Sequence, residues 1–183
     1  MATIAELLAS SLNALKQVQR GEDFTIIKSS DLSRTHIKRL VDNHFLKPII
    51  KGWYVVTDPR ATPGDSTAWY ASFWSFITRY ANERYGNEWC LSAEQSLSIY
   101  TGATIIPNQV LIRAPKGNDY MVPLIPPTSV FNLGAELPSK IDTNNPYNLN
   151  LYTLAEAIIV ATPTMYRNDA LTMRTVSYTH LTL

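Results

Sequence analysis

The sequence predicts an α+β fold, an N-terminal winged helix-turn-helix followed by a mixed α/β second domain. Three observations predict it. Helix-like and strand-like segments follow one another as helix, strand, helix, hairpin up to Val56. A Pro-, Gly- and Asp-rich stretch, DPRATPGDST, then breaks the pattern. Beyond it, apolar segments of both periods alternate with proline-rich turns. The expected organisation is a winged-helix domain over residues 1–58, a linker over 59–66, a mixed α/β domain over 67–175 and a tail over 176–183.

The elements can be justified in order. Ile4, Leu7, Leu8, Leu12 and Leu15 recur at helical spacing and Gly21 is a natural stop, so residues 3–20 form an amphipathic helix. Phe24 to Ile27 is a short β-rich run. Ser29, Ser30, Asp31 and Ser33 offer caps for a second helix. Its buried stripe is Ile37, Leu40 and Val41, and Arg34, Thr35, Lys38 and Arg39 face outward. LKPIIKGWYVV holds two β-rich runs pinched at Lys51-Gly52, a tight hairpin.

After the linker, Trp69, Phe73, Phe76 and Tyr80 mark one side of a helix and Tyr70, Trp74 and Ile77 another. A helix so aromatic belongs in a core, with ligand stacking the lesser alternative. Trp89-Cys90-Leu91 is a short strand. Ser92 to Gln95 matches a capping box opening a helix to Tyr100, with Gly102 as its stop. Asn108–Ala114, Tyr120–Ile125 and Ser129–Leu133 are strands, with a turn at Lys116-Gly117-Asn118. Thr153 to Glu156 is a second capping box, and Asn168 to Arg174 reads as the opening of a further helix with Asn168 or Asp169 as its cap.

Composition narrows the function. The 183 residues include 4 Trp, 10 Tyr and 5 Phe, enough aromatic surface to require a packed core. A single cysteine excludes a disulfide framework and a cysteine-rich zinc site. The N-terminal segment is punctuated by Ser, Asn, Lys and Gln, so neither a signal peptide nor a membrane span is expected and the location is cytoplasmic. Residues 28–51 carry six basic side chains against two acidic ones, net +4, in a chain of total charge +1; the remainder therefore carries −3. A local basic segment is the footprint of a nucleic-acid contact, although a solvated helix face has the same composition.

In a winged helix the second helix of the pair enters the major groove and the hairpin touches the backbone. Arg34, Thr35, Lys38 and Arg39 are thus candidates for DNA contact from the helix, with Lys47 and Lys51 meeting phosphates. Nothing catalytic stands out. His36 and His44 have no Cys or acidic cluster beside them, Cys90 sits in an apolar strand, and Glu83, Glu88 and Glu94 are scattered. No phosphate-cradling glycine loop and no nucleophile elbow is present. No cofactor, metal or enzymatic activity is expected, and no dimerisation helix stands out.

FTIIKSSDLSRTHIKRLVDNHFLKPIIKGWYVV resembles the N-terminal winged helix of AbiEi-type antitoxins. Lys51, Gly52 and Tyr54 match the family's wing, and Leu40, Val41 and Leu46 its buried positions. Asn43-His44 stand where a glycine is common, and the segment before the basic helix is short enough to be a single turn. GDSTAWYASFWSF, ERYG, WCLSAEQSLSIYTG and LIRAPKG resemble the front half of certain bacterial Fic-family proteins, and that likeness extends over nearly all of residues 3–174. The first resemblance implies an autoregulating DNA-binding antitoxin with a toxin partner. The second implies the non-catalytic front part of a protein AMP transferase, joined to a C-terminal Fic domain; that family's H-P-F-x-x-G-N-G-R loop is not in this sequence. A protein-interaction module that keeps the winged shape is the third reading. The final run VSYTHLTL, including His180, resembles translated sequencing adapter, with a short terminal strand as the alternative.

Overall fold

A computed structural model describes residues 3–19, 25–62 and 64–168. The expectations at Gly21, Phe24 and Asp169 to Arg174, and the tail from Val176, lie outside those residues. The fold is α+β. It divides into two compact units at Phe76/Ile77, inside a helix and not within 59–66.

The first unit opens with α1, Ile4–Gln19. Thr3 and Glu6 form a reciprocal capping box: the Thr3 N–H donates to the Glu6 carboxylate at 2.7 Å, and the Glu6 N–H donates to the Thr3 hydroxyl at 3.2 Å. The expected apolar stripe shifts at its start. Ile4 is 85% exposed, whereas Ser11 and Leu15 are buried. Strand β1 is Ile26–Lys28, helix α2 is Arg34–Asp42, and strands β2, Leu46–Ile50, and β3, Trp53–Val56, form the hairpin. The strands pair antiparallel in the order β1-β3-β2. β2 is an edge, which accommodates Pro48 and a register shift between Pro48 and Ile50. Leu15, Ile27, Leu32, Ile37, Leu40 and Leu46 close the core.

Helix α3, Thr67–Tyr85, lends its first ten residues to this unit. There the Trp53 ring meets Phe76 edge-on at 5.6 Å, and Trp69 packs on Phe73 at 5.3 Å. The aromatic run is therefore spent on packing: Trp69, Phe73 and Phe76 are all buried and Tyr70 alone of the aromatics on this stretch is exposed.

The second unit takes the rest of α3 and adds β4, Cys90–Leu91, α4, Ala93–Tyr100, β5, Gln109–Ala114, β6, Tyr120–Pro123, and β7, Ser129–Gly134. Their sheet runs β4-β5-β7-β6, with β5 and β7 parallel and the other pairs antiparallel. A two-stranded ladder, β8, Ile141–Asp142, with β9, Leu151–Tyr152, precedes helices α5, Leu154–Val160, and α6, Pro163–Asn168. Asn168 is the last residue of α6. Alternation buries Val110, Ile112, Ala114 and Val130 on one sheet face. The polar Asn132 shares that face because Tyr85 donates to its Oδ1 at 2.9 Å, and its Nδ2 donates to the Tyr80 oxygen at 3.2 Å.

Candidate nucleic-acid interface

Helix α2 begins where Ser33, in extended conformation, accepts the His36 N–H at 3.3 Å. Immediately before it, the Lys28 N–H donates to the Asp31 carboxylate at 2.8 Å and the Asp31 N–H donates to the Lys28 carbonyl at 3.0 Å. That single hydrogen-bonded turn is all that stands between β1 and α2. The helix has two unlike faces. Ile37 and Leu40 are buried in the core, and His36 reaches Ser11 of α1 at 2.9 Å. On the other side Arg34, Thr35 and Lys38 are exposed and Arg39 is half-buried. Arg34 and Lys38 stand one turn apart, about 6 Å along the axis.

The helix ends in a Schellman motif. The Phe45 N–H donates to the Leu40 carbonyl at 2.8 Å, and the His44 N–H donates to the Val41 carbonyl at 3.0 Å. His44 supplies the left-handed residue, with φ 61°.

The hairpin tip is fixed to the turn before α2. Gly52, at φ 82°, accepts the Ser29 N–H at 2.8 Å. A Cβ at Gly52 would lie 3.2 Å from the Ser29 hydroxyl, so tip and turn approach closely. Exposed Lys51 therefore sits beside the segment that leads into the N-terminus of α2. Lys28 is committed inward, its ammonium 5.3 Å from the Trp53 ring centroid.

Lys47 is placed differently. It lies four residues back along β2, about 13 Å from Lys51 in an extended strand. It lines a cleft of about 600 Å³ together with Val41, His44, Leu46, Asp58 and Asp65. Two hydrogen bonds from the Arg60 guanidinium, at 3.2 and 3.1 Å, hold the Asp58 carboxyl below its ordinary range. Hydrogen bonding from Thr67, including its N–H at 2.8 Å, does the same to Asp65, and the Lys47 charge adds in the same direction. Of the six candidates, Arg34, Thr35, Lys38 and Arg39 thus share α2, Lys51 joins their N-terminal end, and Lys47 shares a cleft with two carboxylates. Nothing in residue spacing announced that Lys47 would share a cleft with Asp58 and Asp65.

Reactive chemistry elsewhere is muted. Burial pushes the Cys90 thiol up to about 12. Glu88 pairs with Lys116 at 3.3 Å, and Glu94 accepts the Thr162 N–H at 3.3 Å. Among the described residues no group of three His, Cys, Asp or Glu is arranged to hold a metal ion, and no helix is long and apolar enough to cross a membrane.

A scan against models of known protein families finds no match, and neither does a search of curated proteins.

Proposed function

We propose that the first unit is a winged helix-turn-helix that binds duplex DNA, and that the protein acts as an antitoxin-like transcriptional autoregulator. The observation that carries this reading is the division of labour on α2. Its buried face is anchored by Ile37, Leu40 and the His36–Ser11 bond, leaving Arg34, Thr35 and Lys38 on an exposed face. Two ion pairs of the described residues, Arg60–Asp58 and Lys116–Glu88, take none of these cations. In this reading α2 enters the major groove and Arg34 and Lys38 reach base edges, with Thr35 beside them. Lys51, and Arg39 at the flank, meet phosphates. The second unit holds a protein partner, a toxin in the antitoxin form of this reading. It acts without a cofactor and without catalysis.

The test is fluorescence anisotropy with a labelled duplex carrying the protein's own upstream region, repeated over a salt series. Binding is expected to weaken steeply with salt, because each phosphate neutralised releases counterions. Replacing Arg34 and Lys38 by Ala should cost roughly 1–3 kcal/mol per base contact. Equal affinity for the wild type and the double variant, at matched fold and stability, would remove α2 as the reading element.

A further inference from the structure

Of the six candidates only Lys47 lines the cleft, and that cleft brings two carboxylates, Asp58 and Asp65, to it. The two acids are not equivalent. Asp58 is met by Arg60, whose Nε and Nη2 lie 3.2 and 3.1 Å from its two oxygens. Asp65 takes the Thr67 N–H at 2.8 Å, a neutral donor, so its charge is left to be met from across the cleft. Lys47 and Asp65 are both exposed, and their interaction is therefore a solvent-screened one that changes with ionic strength.

We infer that Asp65 masks Lys47 from the nucleic-acid backbone, so that this one carboxylate holds down the affinity of the first unit for DNA. The inference rests on the DNA-binding reading above. A phosphate approaching Lys47 meets the Asp65 carboxylate on the same cleft, and repulsion offsets the attraction of the ammonium. Lys51 lies outside the cleft lining and remains the phosphate contact of the hairpin in this reading. Neutralising Asp65 releases Lys47 to act as an additional one.

The experiment uses the full chain and a fluorescein-labelled duplex of mixed sequence, titrated at several salt concentrations. Asp65→Asn keeps an oxygen able to accept the Thr67 N–H, so the start of α3 is preserved. It is expected to tighten binding about threefold at low salt, the scale of a screened surface charge pair. The slope of log affinity against log salt should steepen by about 0.9, one more phosphate neutralised. Lys47→Ala alone leaves the Asp65 charge unopposed and should weaken binding about threefold, whereas Lys47→Ala combined with Asp65→Asn should return the affinity and slope of the wild type. If Asp65→Asn changes neither affinity nor slope while Arg34→Ala/Lys38→Ala still weakens binding, the masking is overturned and the DNA reading stands. If the combined variant binds more weakly than the wild type and with a lower slope, Lys47 is already a contact and the masking is equally overturned. If the wild type shows no salt-dependent binding, the DNA reading fails and the masking falls with it.

Discussion

The imidazole Nδ1 of His36 lies 2.9 Å from the Ser11 hydroxyl, tying the basic helix α2 to α1. The roles in this bond follow from the third partner. Ser11 is itself 3.0 Å from the Leu7 carbonyl, which can only accept, so the serine proton goes there. The serine oxygen then accepts from His36, which must carry a proton on Nδ1. Ser11→Ala would leave that donor unpaired at a half-buried site, a loss of about 1–2 kcal/mol, against about 0.5 kcal/mol regained from the helix preference of alanine. A net destabilisation of about 1 kcal/mol is expected from urea unfolding followed by tryptophan fluorescence. Nitrogen chemical shifts of the His36 ring should identify Nδ1 as the protonated nitrogen, and a neutral ring protonated only at Nε2 would contradict the assignment.

The left-handed residue that ends α2 gives a prediction of the opposite sign. His44 holds φ 61°, a conformation that costs a side-chain-bearing residue about 1–2 kcal/mol, part of which glycine returns through its freer unfolded chain. His44→Gly is expected to stabilise the first unit by about 0.5–1 kcal/mol. Gly52→Ala, also at positive φ and facing the Ser29 hydroxyl, should destabilise it by about 1 kcal/mol or more. Thermal melts of the two variants should therefore move in opposite directions; a lower midpoint for His44→Gly would mean that the imidazole makes up for its strain.

These positions also mark how far the sequence was legible. Cap residues were readable because the signal is local: Ser33, Ser92 and Thr153 each accept an N–H three residues on. What the third residue of a capping box does was not local. Gln95 reaches β5, and Glu156 accepts the Ser139 N–H and hydroxyl, so neither returns to its own cap. The first turn of α1 read as apolar at Ile4, which the fold leaves in solvent, while the buried Ser11 was invisible because its value lies in a partner 25 residues away. The two-residue strands β8 and β9 carry too few alternations to register. The basic face of α2 was legible from periodicity alone. That Lys47, on β2, lines a cleft with Asp58 and Asp65 is a tertiary placement, in a stretch that composition described only as a hinge.

Gln95 completes the sheet with its side chain. Its Nε2 donates to the Gln109 carbonyl at 2.8 Å and its Oε1 accepts the Leu111 N–H at 3.0 Å, while the Ser92 N–H donates to the Leu111 carbonyl at 3.1 Å. The amide thereby stands in for a strand beyond the two residues of β4. Gln95→Ala is expected to cost about 1–2 kcal/mol by leaving the Leu111 N–H without its acceptor. Gln95→Glu keeps that acceptor but turns a carboxylate toward the Gln109 carbonyl. Its stability should therefore rise as pH falls through the carboxylate range, where the protonated acid can again donate. A Gln95→Glu variant with the wild-type pH dependence between about pH 7 and 4 would show that the contact is not made.

Alkaline pH should loosen the second unit, through groups whose protons the fold retains. Burial raises the Cys90 thiol from its ordinary 9.0 to about 12. Burial also raises Tyr152, and it raises Tyr100, whose hydroxyl lies 2.6 Å from the Asp142 carboxylate and is pushed further up by that neighbour. In each case the unfolded chain releases its proton at a lower pH than the native one. The native state therefore binds more protons above the ordinary values, and stability falls as pH rises. It should be flat up to about pH 8.5 and decline beyond, as the unfolded thiol and then the phenols ionise. Cys90→Ala should remove the earliest part of that decline and leave the part due to the tyrosines. The same burial makes the thiol unreactive: a disulfide reagent at about pH 8 should label Cys90 only as fast as the second unit opens, with labelling accelerated by urea in step with unfolding. Rapid stoichiometric labelling of the folded protein would place Cys90 at a surface and remove the thiol from this account of the alkaline limb.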